Sequence, residues 1–216
     1  GGVPEADAVI RRVAAEQNAP LTEVDFHNLQ IDGGDLDAVT FDFDGLDGVH
    51  LPLIGSYQPR NAAVAITTLR VLRAKGWNVP ESAIRTGLET VQWPGRFELL
   101  RHAPAFLLDG SHNAHGMRAT VQSLKDRFPG EKFVFLVSIM ADKDVDEMLQ
   151  LLAPLAKQFV TVAAHTPRAM QAASKPVWPG PWSLAAPGRC ARWALSIFPV
   201  TSGRHLPRRQ KADAAQ

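Results

Sequence analysis

The sequence predicts an α/β fold built on a mainly parallel sheet, and three observations carry that prediction. Strand-like and helix-like segments alternate from residue 97 to about residue 163, the order produced by a parallel sheet covered with helices. The apolar run AFLLD at 105–109 ends in Asp109, and Gly110 and the polar SHNAH follow at once. A parallel strand delivers polar side chains to a ligand at its carboxyl end in this way. WPGRFE at 93–98 sets a Pro94-Gly95 turn before Arg96, whose planar guanidinium can clamp phosphate or carboxylate with two parallel hydrogen bonds. An acid, a histidine and an arginine thus fall within about one strand–helix unit.

Each element follows from local pattern. Residues 5–18 place Ala8, Val9, Val13 and Ala14 near one face of an amphipathic helix. Strand-like runs come around 21–26, 37–43 and 49–54, separated by the turn-rich IDGGD and GLDG. Asp32, Asp35, Asp37, Asp42, Asp44 and Asp47 lack the ligand ladder and closing Glu of a calcium loop, so they read as a solvated hairpin edge. From Gln58 to about Lys75, Ala62, Ala63, Ala65, Ile66, Leu69, Val71 and Leu72 form the apolar face of a helix that Gly76 stops. A second helix, near 81–91, starts behind Pro80. Strands are expected at 97–101, 105–109, 132–138 and 158–163, with helices at about 114–127 and 144–157. Residues 1–92 read as the closing part of one α/β domain and 93–173 as the first part of another, hinged at the WPGR turn. Residues 174–216 crowd Trp, Pro and Arg without helix or strand period, and six prolines between Lys175 and Gln210 predict an irregular tail. A shifted reading frame after Met170 and a divergent tail are both open.

Bulk composition narrows the function class. With 216 residues, 45% hydrophobic and 21% charged, the chain can bury a core and hold more than one domain. A net charge of +1 gives no electrostatic case for nucleic acid as a partner. Cys190 is the single cysteine, which excludes an internal disulfide and fits a reducing, cytoplasmic setting. No apolar run approaches the ~20 residues of a membrane helix, and the N-terminus has no signal-peptide pattern.

LIGSYQPRNAAVAI, WPGRFE, LLDGSHNAHG and SIMADKD occur in the order and rough spacing of the folylpolyglutamate synthase/dihydrofolate synthase family, among the Mur-ligase-like ATP-dependent amide ligases. From residue 1 to about 170 the chain resembles that family's second half. The resemblance implies that 1–92 end a Mur-ligase-type central ATPase domain and that 93–173 begin a Rossmann-like C-terminal ligase domain. No Gly-Lys-Ser or Gly-Lys-Thr occurs, so the phosphate-cradling loop of such an ATPase is not in this sequence. With no Met at its start, the chain is expected to be a C-terminal fragment, inactive alone.

The implied chemistry makes an acyl phosphate from a pteroate or folate carboxylate and ATP, which an amino acid's nitrogen then attacks. It is mostly positioning and charge neutralisation, with magnesium bridging phosphoryl oxygens. By resemblance, Asn61 contacts the nucleotide, its amide suiting an adenine edge; a helix cap or plain surface position is the alternative. Arg96 reaches the ATP phosphates, or else pairs with Glu98. Asp109 takes the nucleotide through ribose hydroxyls, or caps the helix beginning near Asn113. His112 lies near the phosphates and incoming glutamate, a catalytic and substrate-binding role, or is a solvated histidine. Lys143 steers an acidic substrate, or pairs with Asp142 or Asp146. Arg168 approaches the amino-acid substrate. Trp93 and Pro94 fix the hinge. Tyr57, Ser111 and Ala114 stand where the family usually has His, Ala and often Pro. The His112/His115 spacing alone is no metal site. ATP, L-glutamate and dihydropteroate or a folate are the implied small-molecule partners, with Mg2+ held by residues outside this sequence. No nucleic acid or membrane partner is expected, and the parent is expected to be monomeric. Another Mur-type ligase, acting on a cell-wall nucleotide precursor, and a non-catalytic nucleotide-binding module are the alternatives. WPGRFE and the DKD turn favour the folate branch.

Overall fold

In the computed structural model the described residues are 4–140 and 143–162, with the backbone of Trp182–Leu184 and Leu195–Pro199. Helix α1 (Pro4–Glu16) buries none of its residues, and its apolar Val9, Ile10 and Val13 face outward. Strands β1 (Leu29–Gly34), β2 (Val39–Phe43) and β3 (Leu46–Leu51) form an antiparallel sheet in that order. Alternation along β2 buries Val39, Phe41 and Phe43, as a strand's period of two requires. These aromatics meet Ala62, Ala63 and Ile66 of α2 (Gln58–Ala74) and Ile84 of α3 (Glu81–Thr90) in a first core. Small alanines on α2 let the helix approach the sheet closely. Arg70 and Arg73 both bind Glu81, tying the end of α2 to the start of α3.

The structure corrects one expectation here. Residues 21–25 form no strand, and a short 3-10 turn follows at Phe26–Asn28. The first strand instead takes in most of IDGGD, which had the composition of a turn. Pairing with β2 overrides that local preference, and the register slips between Ile31 and Gly33, the usual place of glycine in a bulged edge strand.

The second sheet has the order β4-β5-β9-β6-β7-β8. Its strands are β4 (Glu98–His102), β5 (Ala105–Asp109), β6 (Phe133–Val137), β7 (Ala156–Thr161), β8 (Trp182–Leu184) and β9 (Leu195–Pro199). β5, β6, β7 and β8 share a direction, while β4 and β9 run against them. Parallel strands are present as the α/β class predicts, four of the six sharing a direction, and two antiparallel strands, β4 and β9, are set among them. Helices α4 (Ala114–Arg127) and α5 (Val145–Leu152) supply Met117, Val121, Leu124, Met148 and Leu152 to a second core with Leu107, Phe133, Phe135 and Phe159. Phe135 and Phe159 stack at 5.5 Å between centroids across β6 and β7. α5 ends earlier than the expected 157, because Pro154 cannot continue it and a 3-10 turn, Ala153–Leu155, leads straight into β7.

The stretch expected to be irregular contributes two of these strands. β9 threads between β5 and β6, with Ile197 in register with both Leu107 and Phe135. Proline content suggested no element there, yet the strand runs Leu195–Pro199, with proline only at its last position. Among the described residues no helix is long and apolar enough to cross a membrane.

Two contacts bring the cores together at the start of α2. Ser56 N–H donates to Ser123 Oγ at 2.9 Å, and Arg127 Nε donates to Ile54 C=O at 2.8 Å. Ile54 itself belongs to the second core. The α2 entrance is thereby held beside the tip of β5.

Candidate functional site

Asp109 ends β5, and the strand's alternation puts it on the face of Ala105 and Leu107, under α4. It is 1% exposed. Its Oδ2 accepts the Phe97 N–H at 2.8 Å; its Oδ1 accepts the Ser111 N–H at 3.1 Å and the Thr120 hydroxyl at 2.8 Å. A buried carboxylate is tolerable because several donors satisfy it. Asp109 is not the helix cap: Asn113 caps α4, accepting the Gly116 N–H at 2.7 Å.

Arg96 sits in the turn facing that carboxylate. Its N–H closes the turn onto Trp93 C=O at 3.3 Å, with Gly95 at φ 72°. Pro followed by a positive-φ Gly is the pair that a type II turn demands. Glu98 does not pair with Arg96; it accepts the Gly95 N–H at 2.7 Å. The half-buried guanidinium donates to Gly110 C=O at 3.3 Å and, among the described residues, has no carboxylate partner. Gly110 allows this crossing, since a Cβ there would lie 2.8 Å from Arg96 Nη1. Trp93 and Pro94, assigned to the hinge, are both exposed.

The α2 entrance forms the opposite side. Tyr57 is the residue before α2, and its ring lies over Gly55. Burial pushes its phenol pKa up; the negative Asp109 adds to this and the positive Arg96 opposes it. Asn61 is exposed in the first turns of α2 and donates to Gln58 Oε1 at 3.1 Å. It is not the cap, a position held by Tyr57 without a side-chain bond.

A shallow pocket opens at the carboxyl ends of β5 and β6, with His112 and Lys143 at its rim and Met117 and Met148 among its lining. His112 is exposed, and its Nδ1 lies 3.1 Å from Gly110 C=O. A carbonyl only accepts, so Nδ1 carries the proton of this bond and Nε2 of the neutral ring is the free acceptor. Lys143 is half-buried. Arg168 and Asp142 lie outside the described residues.

Arg96, Asp109, His112 and Lys143 therefore gather at one sheet edge, and Tyr57 brings the α2 entrance, with Asn61, towards the same place. Sequence reasoning missed Thr120, which is wholly buried in α4. Its one available signal was a hydroxyl on the apolar face that also carries Met117, Val121 and Leu124. Arg96 without a described acid partner fits an anionic ligand. No three of His, Cys, Asp and Glu come together among the described residues.

Residues 95–176 match the family described as Mur ligase, glutamate ligase domain. A folylpolyglutamate synthase of Lacticaseibacillus casei is 33% identical over 136 residues, which are 60% of this chain and 32% of the relative. Mycobacterium tuberculosis folylpolyglutamate synthase complexed with ADP has a similar structure, with TM-score 0.67 and 29% identity over 78% of this chain and 38% of that one. A bifunctional folylpolyglutamate synthase/dihydrofolate synthase with Mn, AMPPNP and L-glutamate bound gives TM-score 0.56 and 27% identity over 74% and 37%. The chain spans well under half the length of these proteins. Motif order, sheet and family match agree: residues 95–176 resemble a Mur ligase glutamate ligase domain, and the chain is similar to folylpolyglutamate synthases over part of their length.

Proposed function

We propose that this chain forms the nucleotide-closing side of an ATP-dependent ligase that adds L-glutamate to dihydropteroate, to a tetrahydrofolate, or to both, in the cytoplasm. In this reading residues 1–92 end the central ATPase domain, and the chain continues from residue 93 into the ligase domain. ATP supplies a phosphoryl group to the acceptor's carboxylate; glutamate's nitrogen then displaces phosphate and leaves an amide. The protein's part is to place charge and hydrogen-bond donors. Arg96 donates to phosphate oxygens, and Asn61 offers a donor and an acceptor to the adenine edge. Asp109 already accepts three hydrogen bonds, which leaves lone-pair room for about one ribose hydroxyl. His112 and Lys143, at the pocket rim, meet the acidic amino acid. Arg168 is assigned to the same substrate by resemblance alone. No step here depends on a metal.

The observation that carries this reading is the half-buried Arg96 guanidinium, held at the strand tip with no described carboxylate to neutralise it. The ADP complex of the Mycobacterium relative supports a nucleotide as the anion. Calorimetric titration of ADP into the chain tests it. Binding is expected in the wild type, and Arg96→Ala should weaken it by about 10-fold or more, the loss of charge-assisted hydrogen bonds worth ~1.5–3 kcal/mol. Equal affinities would refute the assignment. With ATP, dihydropteroate and glutamate the chain alone should release no ADP, because it has no phosphate loop; measurable release would overturn that expectation.

A further inference from the structure

We infer that Thr120 is a positioning residue for Arg96, acting through a buried hydrogen-bond relay that runs Ser111–Thr120–Asp109–Phe97. The inference rests on the nucleotide role just proposed for Arg96, but the relay itself stands on geometry.

Thr120 Oγ1 has three neighbours: Asp109 Oδ1 at 2.8 Å, Ser111 Oγ at 2.7 Å and Gly116 C=O at 3.2 Å. It owns one proton. The carboxylate is the one charged acceptor of the three and cannot itself donate, so the proton goes there. Thr120 must then accept from Ser111, whose hydroxyl proton is committed inward. This order leaves Asp109 Oδ2 to take the Phe97 N–H at 2.8 Å.

That last bond fixes Arg96. Phe97 is 1% exposed and non-glycine, yet its φ is 52°, a left-handed conformation that needs support from its surroundings. Its ring is anchored in the second core, and its N–H is anchored by Asp109. On the other side of Arg96, Glu98 holds the Gly95 N–H at 2.7 Å. The arginine's backbone is thus clamped at both neighbours, and its guanidinium is laid across Gly110. Without the Thr120 hydroxyl the Asp109 carboxylate loses a bond that orients it, so Oδ2 is no longer fixed towards the Phe97 N–H, and Arg96 loses its fixed direction.

Amide hydrogen exchange on the whole chain tests the relay without any ligand. Thr120→Val is expected to speed exchange at the Phe97 N–H by about 10-fold or more, and Thr120→Ser to restore it, while the Phe135 amide keeps its rate. Ser111→Ala, at the half-buried end of the relay, perturbs the core less and should speed Phe97 by a few-fold. ADP titration then links relay to arginine. Thr120→Val should weaken ADP several-fold in the wild-type background and not at all beside Arg96→Ala, the non-additivity of residues that act as one unit. An unchanged Phe97 amide in both the Val and Ala variants, or equal affinity losses in both backgrounds, overturns the inference. If the wild-type chain binds no ADP, the nucleotide reading fails instead, and exchange at Phe97 still decides whether the relay exists.

Discussion

Gly110 shows how much one missing methyl group decides. Arg96 crosses it so closely that a Cβ would meet Nη1 at 2.8 Å and Gly95 C=O at 3.1 Å. The guanidinium can swing away; the backbone carbonyl cannot. Gly110→Ala should therefore displace Arg96, weaken ADP binding, and cost about 1–3 kcal/mol in denaturant unfolding, the range for overpacking a filled site. Unchanged ADP affinity would mean that Arg96 does not need its present direction. At this scale the sequence was informative about types: an acid, a histidine and an arginine near one strand end. It could not say that Asp109 is mostly occupied by internal donors, because two of its three donors come from Phe97 and Thr120, 12 and 11 residues away along the chain.

Elements were legible where local pattern and tertiary demand agree. α4 spans Ala114–Arg127 as expected, with an Asn cap, and β5 ends at Asp109 as its apolar run implies. β1, β8 and β9 were missed, since a Gly-Asp stretch and a Pro-rich tail look like turns until a neighbouring strand offers its hydrogen bonds. The α2–α3 junction gives a prediction with a definite sign. Hydrogen bonds from Arg70, with Arg73 adding to them against some burial, hold the Glu81 carboxyl below its ordinary pKa of 4.5. The folded value lies under the unfolded one, so this stabilisation is full above about pH 4.5 and fades as pH falls through the depressed value. Glu81→Gln should lower the melting temperature at neutral pH by an amount worth about 1 kcal/mol or less, since the pair is partly exposed. The gap between variant and wild type should close on acidification. A gap that stays constant from pH 7 to about pH 3 would show that charge is not what the junction uses.

For the whole molecule, the decisive contacts join the two cores. Arg127 Nε reaches Ile54 C=O, and Ser123 Oγ takes the Ser56 N–H, so one face of α4 holds the loop that leads into α2. This grip keeps Tyr57 near Arg96 and Asp109. Arg127→Ala leaves a nearly buried carbonyl unpaired and is expected to cost about 1–3 kcal/mol by urea unfolding. It should also lower ADP affinity, although Arg127 lies outside the pocket lining. A loss of stability with full ADP affinity would show that the α2 entrance is placed by other means.

What the sequence by itself determined is local: which runs make helices and strands, where α4 starts, and which chemical groups a strand end presents. Periodicity, caps and turn residues act over a few neighbours, so they can be read in a line. The tertiary structure alone decided that β9 enters the sheet between β5 and β6, that Asp109 is locked beneath Thr120, and that the α2 entrance faces Arg96. Each of these depends on pairing or burial between residues far apart in the chain, where no local preference records the partner.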